Sequence, residues 1–217
     1  MTIGVYVDNL MIVHSAEIDD DGNAIDSNSF LAKFLGKLRT DWEIVDEGPM
    51  VDLVGMQCEN AGNGSIKLHQ SKYIKKLLDR FLPDGPPPHV KPDCLPYTSA
   101  LPKLIEEAIT AKETNGIEHP ELVNLFQQRC GAYLYLNTST RPDIAYPVSQ
   151  LCRIMSCPTP ALLKELDQVA YYLYYNADIG LTYESKPRDL SASADASWLT
   201  RHSTSGWYVS WQGAALS

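Results

Sequence analysis

The chain has 217 residues, 44% of them hydrophobic, which is enough for one large domain or two small ones with their own cores. No run of about 18 apolar residues occurs and the amino terminus lacks the basic region of a signal peptide, so the expectation is an intracellular protein, cytoplasmic or nuclear, with no membrane partner. A formal net charge of −9 argues at first against nucleic acid, but residues 1–60 hold twelve acids and three bases, and the remainder is neutral with fifteen of each sign.

Taken in order, Ile3–Val7 and Leu10–Val13 are short β-rich runs separated by Asp8-Asn9. That pattern reads as a tight hairpin, because Asp and Asn tolerate positive φ. After a polar loop over 17–28, Asp26 or Ser27 is expected to cap a helix with Phe30, Leu31, Phe34, Leu35 and Leu38 on its apolar side. Strands are expected over Trp42–Val45, Met50–Cys58 and Ser65–Leu68, the last two joined by the turn-rich run 60–64. From Ser71, a helix sets Tyr73, Ile74, Leu77, Leu78 and Phe81 on one face and lysines on the other.

Residues 82–102 hold seven of the fourteen prolines and read as a linker. Beyond them the pattern turns helical. A short helix is expected over Leu104–Ala111, and three more are opened by proline: Pro120 to about Leu136, Pro142 to about Met155 with a kink at Pro147, and Pro160 to about Tyr175. Strands follow at Ile179–Tyr183, Leu190–Asp195 and Gly206–Trp211. The five cysteines (58, 94, 130, 152 and 157) include no CxxC pair, and read as core or surface fillers rather than a disulfide or zinc framework. No two histidines lie at i, i+4 spacing.

Four segments carry candidate chemistry. A carboxylate at the tip of a rigid hairpin, Asp8, is placed to hold a divalent metal, and Asn9 offers a neutral oxygen beside it; an ordinary Asp-Asn turn accounts for the same residues. Lys67, Lys72, Lys75, Lys76 and Arg80 form a locally basic segment that suits a phosphate backbone, and equally a solvated helix face. Asp195, beside Ser193 and Ser197 near a strand end, reads either as a metal ligand or as a residue that closes the strand. The run 201–205 reads as a phosphate nest or as a polar hairpin loop.

In their order these segments resemble the Ty1/copia-type retrotransposon reverse transcriptase family, from near Val5 to the last residue. YVDN at 6–9 is similar to the family's YVDD box, and Leu53-Val54-Gly55-Met56 stands where the family has an FLGI-like strand. Residues 68–74, LHQSKYI, are similar to the LSQxKYI segment and are followed by LLDRF at 77–81. GAYLYL at 131–136 and TRPDIAY at 140–146 resemble GSLLYL and TRPDIAY, and CPTP at 157–160 and GLTY at 180–183 continue in register. Ala194-Asp195-Ala196 and STSGW at 203–207 resemble the SDADW and RKSTSGY pair that opens the RNase H domain.

The resemblance implies an α+β fold in five parts. Residues 1–62 would be the carboxy-terminal part of a reverse-transcriptase palm and 63–82 a thumb-like strand and helix. A Pro-rich linker over 83–119, a helical connection region over 120–185 and the truncated start of an RNase H-like domain over 186–217 complete it. It implies RNA-directed DNA synthesis on an RNA template and DNA primer, with Mg²⁺ ligated by Asp8 and Asn9, and Asp195 as the first RNase H carboxylate and a metal ligand. Asn9 and Ser197 stand where the family carries second acids. The family's other palm carboxylate and later RNase H acids have no counterpart among these residues. The expectation is a chain inactive alone, paired with an amino-terminal part of the polyprotein. Two other readings stand beside it: a catalytically dead module that binds template–primer through Lys67–Arg80, and a decayed retroelement relic without a role.

Overall fold

Tyr6 pairs with Asn9 at the end of the first hairpin, between antiparallel strands β1 (Thr2–Tyr6) and β2 (Asn9–Val13). The computed structural model describes residues 1–6, 9–19, 23–45, 47–116, 119–185, 190–197 and 204–216. Asn9 is thus the first residue of a strand rather than half of an Asp-Asn turn; positions 7 and 8 lie outside the described residues. Helix α1 (Phe30–Asp41) is capped by Ser29, whose Oγ accepts from the Ala32 N–H at 3.1 Å. Neither expected cap, Asp26 or Ser27, is used: Asp26 instead accepts from the Asn28 N–H at 2.9 Å in the preceding turn. Leu31 and Leu35, one turn apart, are buried. Trp42–Val45 is irregular, with Trp42 and Val45 exposed: β-rich composition makes a strand only where an edge is there to pair with it.

Met1–Val51 form one compact unit and Asp52–Ser217 a second. In the second unit the expected single strand Met50–Cys58 is a hairpin. Strands β3 (Asp52–Leu53) and β4 (Met56–Gly62) flank Val54 and Gly55, with φ of 53° and 73°. Two successive positive φ values build the tight turn that matches strand twist, and the Tyr135 hydroxyl donates to the Val54 carbonyl and fixes it. A second such turn, Asn63-Gly64, leads to β5 (Ser65–His69), after which α2 (Ser71–Phe81) begins.

Four more helices complete the core: α3 (Leu101–Asn115), α4 (Pro120–Ser139), α5 (Ala145–Cys152) and α6 (Pro160–Tyr175), with a 3₁₀ turn over Pro142–Ile144. The helix expected over Pro142–Met155 is therefore split, and Pro147 falls in the first turn of α5, where its missing N–H costs nothing. Ile74 and Leu77, Leu101 and Ile105, Phe126 and Tyr133, and Leu166 and Leu173 are buried together in one cluster. The segment 83–119 is thus no free linker. Pro102 sits in the first turn of α3, which contributes Leu101, Ile105 and Ala108 to the core. The residues before it are strapped along α6. Tyr175 donates to the Val90 carbonyl at 3.2 Å, Gln168 to that of Leu95 at 2.7 Å, and the buried Glu165 accepts from the Thr98 N–H at 3.0 Å and from its hydroxyl.

Strand β6 (Leu181–Tyr183) follows α6 and pairs antiparallel with β5, giving a sheet in the order β3-β4-β5-β6. The last sheet is the antiparallel meander β7 (Leu190–Ser197), β8 (Thr204–Trp211) and β9 (Ala214–Leu216), turning at Gln212-Gly213. The Glu184 N–H donates to the Gln212 carbonyl at 2.9 Å and the Tyr183 hydroxyl to that of Ala215 at 3.2 Å, which ties the two sheets together. Among the described residues no helix is long and apolar enough to cross a membrane.

Candidate functional site

Asp8 lies outside the described residues, as do positions 201–203 of the expected phosphate nest. Asn9, exposed on β2, belongs to the first compact unit and Asp195 to the second. Asp195 is two residues from the end of β7 and remains strand-paired, opposite Gly206 of β8, so it does not close the strand. Its side chain is exposed, with Oδ1 accepting from the Ala196 N–H at 2.8 Å. A Cβ built on Gly206 meets nothing within 4 Å, so the face over this pair is open. An open groove of about 1340 Å³ runs from Asp195 and Trp207 across to α3 and α5, lined there by Glu106, Glu107 and Arg153. Lys103 pairs with Glu107 at 3.6 Å, and Arg153 donates to Gln150 at 2.7 Å. Among the described residues no three His, Cys, Asp or Glu side chains converge. One exposed carboxylate and one amide are too few for a hard cation that takes several oxygen ligands. The described donors do not fit a Mg²⁺ site.

The basic segment divides. Lys67, half-buried on β5, sits between Glu59 of β4 and Thr182 of β6. Lys72 lies 3.6 Å from Asp52, both well exposed, a pair that solvent screens. Arg80 donates to Gln128 of α4 at 2.6 Å and stacks 4.9 Å from the centre of the Phe81 ring. Lys75 and Lys76 stand exposed on the outer face of α2, opposite the buried Ile74, Leu77 and Leu78.

A polar junction that residue-type reasoning does not single out joins the start of α2 to the ends of α4 and α6. Arg141, with no exposed surface, donates from Nε to Asp143 at 3.0 Å, from Nη2 to the same carboxylate at 2.7 Å, and from Nη1 to the Asn176 carbonyl at 2.8 Å. A cation thereby meets the carbonyl end of α6, where the helix dipole favours it. Tyr172 donates to Asp143 at 2.8 Å, and burial, then this bond, raises its phenol pKa. Thr140 donates to the buried Gln70 at 2.8 Å, and Ser71 to the Ala177 carbonyl at 3.0 Å. TRPDIAY and LHQSKYI, which carried the resemblance, are the two halves of this junction, so its signal in the sequence was the motif and not the chemistry. Its contacts close helix ends.

No family model matches the chain, and no solved structure matches it. Curated relatives do. The chain is 29% identical over 212 residues to an uncharacterized mitochondrial protein of Arabidopsis thaliana, covering 95% of this chain and 77% of that protein. It is 25% identical to the retrovirus-related Pol polyprotein from transposon TNT 1-94 of Nicotiana tabacum, over 98% of this chain and 15% of the polyprotein. It is 26% identical to a putative transposon Ty5-1 protein of Saccharomyces cerevisiae, over 99% of this chain and 64% of that protein.

Proposed function

The chain is related to retrotransposon polyproteins, and from that premise we propose that it is a segment of a Ty1/copia-type RNA-directed DNA polymerase. In this reading residues 1–62 derive from the palm, 63–82 from a thumb-like element and 120–185 from the helical connection, while 186–217 open an RNase H-like domain. The observation that carries it is the extent of the likeness: the alignment with the tobacco Pol polyprotein runs through 98% of the chain, and so through both compact units. Asp195, strand-paired with its carboxylate in solvent, has the placement a strand-borne acid needs.

The partner in this reading is an RNA template with a DNA primer, met by the basic segment and above all by Lys75 and Lys76. Because Asn9 and Ser197 are neutral, Asp8 and Asp195 supply one carboxylate at each position, which is weak ligation for Mg²⁺. The 217 residues alone therefore bind template–primer without extending it.

Primer extension on an RNA template with Mg²⁺ tests this, together with anisotropy of a labelled template–primer. Binding without product above a protein-free blank is the expected result. Extension that Asp8→Ala abolishes would overturn the inactive part of the reading. Absence of salt-dependent binding would favour a decayed relic instead.

A further inference from the structure

Asn-Gly occurs twice in the chain, at 63–64 and at 115–116. Asparagine is among the thermolabile residues, and a following glycine, having no Cβ, leaves its own backbone nitrogen uncrowded. The fold treats the two steps differently. Asn63 and Gly64 form the turn between β4 and β5, with φ of 51° and 75°, and the flanking Gly62 and Ser65 make the pairing across it. Both turn residues are exposed, and among the described residues nothing accepts from the Gly64 N–H. Gly116 instead closes the end of α3, where its N–H donates to the Lys112 carbonyl at 3.1 Å. We propose that Asn63 is a site of spontaneous deamidation and isomerisation, set apart from Asn115 by the free amide of Gly64.

The chemistry needs only water. The Gly64 nitrogen attacks Cγ of Asn63. A C–N bond forms, the bond from Cγ to Nδ2 breaks, and ammonia leaves with the Gly64 amide proton, closing a succinimide ring. Water then adds to either ring carbonyl. Opening at Cγ gives aspartate; opening at the backbone carbonyl gives isoaspartate, with the chain routed through the side-chain methylene. In sum an amide and water become a carboxylic acid and ammonia, with no change of oxidation state.

At 115 the same attack requires the Gly116 N–H to leave the Lys112 carbonyl first. Breaking one such bond beforehand slows a rate about fivefold. At 63 no bond has to break. Isoaspartate there adds a backbone atom and a carboxylate to a turn that positive φ holds tight. The nearest pairing, Gly62 with Ser65, is where the register between β4 and β5 already shifts, and Ile66 beyond it pairs with Tyr183 of β6.

The test follows both sites in the 217-residue chain during incubation at neutral pH, once in native buffer and once in urea. Trypsin places them in separate peptides, 40–67 and 113–129, and fragment ions locate the exchange of NH₂ for OH. In urea the two sites should convert at similar rates, since both are then plain Asn-Gly steps. In native buffer Asn63 should lead by at least about fivefold. A methyltransferase specific for isoaspartate should label peptide 40–67, and Asn63→Gln should abolish both the mass shift at 63 and the label. A native ratio equal to that in urea, conversion led by Asn115, or no conversion at 63 overturns the proposal. A mass shift at 63 without label overturns the isomerisation. The comparison within the wild-type chain decides the matter even where the variant fails to fold.

Discussion

Arg141 grips Asp143, two residues ahead of it, through two guanidinium nitrogens at 3.0 and 2.7 Å while its own surface is wholly buried. Removing one partner of a buried ion pair leaves the other charge uncompensated, which typically costs about 3–5 kcal/mol. Asp143 keeps 27% of its side chain exposed, so water reaches the site and the lower end applies. Asp143→Ala should lower stability by about 3 kcal/mol, read as a fall in the urea midpoint with an unchanged slope. Equal midpoints for the two proteins would show that the junction does not hold the helix ends.

Two glycines should respond in opposite directions. A Cβ on Gly180 would run into the Leu68 carbonyl oxygen and lie 2.7 Å from the His69 Cβ, so alanine there must push β5 and β6 apart. Overpacking against backbone sets the cost at about 3 kcal/mol. Gly131, inside α4, has nothing within 4 Å of its Cβ position, and Gly131→Ala should stabilise by about 0.5–1 kcal/mol through helix propensity. Thermal melts of both variants check the pair, and a loss at Gly131 would count against the α4 packing described.

What the sequence made legible, and what it hid, follows from the range of the forces involved. Helix starts at Pro120 and Pro160 are local, since a missing N–H and a fixed φ act within one turn, and both are seen. The Val54-Gly55 turn reads as strand in the sequence because valine seldom adopts positive φ; a hydroxyl 81 residues away, on Tyr135, holds it there. The proline-rich run 82–102 reads as a linker because composition reports the absence of regular structure but not the presence of Glu165 and Gln168 on α6. Asp195 was legible as a candidate and its strand was found, but pairing opposite Gly206 needed the register.

Alkali should unfold the protein, and Tyr133 should account for part of the loss. Its ring is fully buried, its hydroxyl donates to the Leu166 carbonyl at 3.1 Å, and burial raises its pKa above the ordinary value of about 10. A raised phenol contributes stability that is fully present below the unfolded pKa and is lost as pH rises through the folded one. Tyr172 and Tyr183, also raised by burial, act in the same direction. Near pH 7, Tyr133→Phe should cost about 1 kcal/mol for the lost hydrogen bond. The gap between variant and wild type should narrow above about pH 10, where only the wild type has this phenol to ionise. A gap constant from pH 7 to 11 would place the alkaline loss elsewhere.

Binding to template–primer offers the most direct discrimination among the lysines of α2. Each lysine that neutralises a phosphate contributes about one to the slope of log affinity against log salt. Lys75 and Lys76 are exposed and face away from the core, so replacing both with Gln should flatten that slope by about two. Lys72 already has Asp52 at 3.6 Å, an internal anion that competes with a phosphate for the same ammonium. Lys72→Gln should therefore change the slope by less than one, and Asp52→Asn should tighten binding by freeing it. Gln is the informative replacement because it removes charge without adding repulsion, so the slope counts contacts and not new penalties. If all three lysines proved equivalent, or if the double variant kept the wild-type slope, the nucleic acid would have to follow a surface other than the outer face of α2.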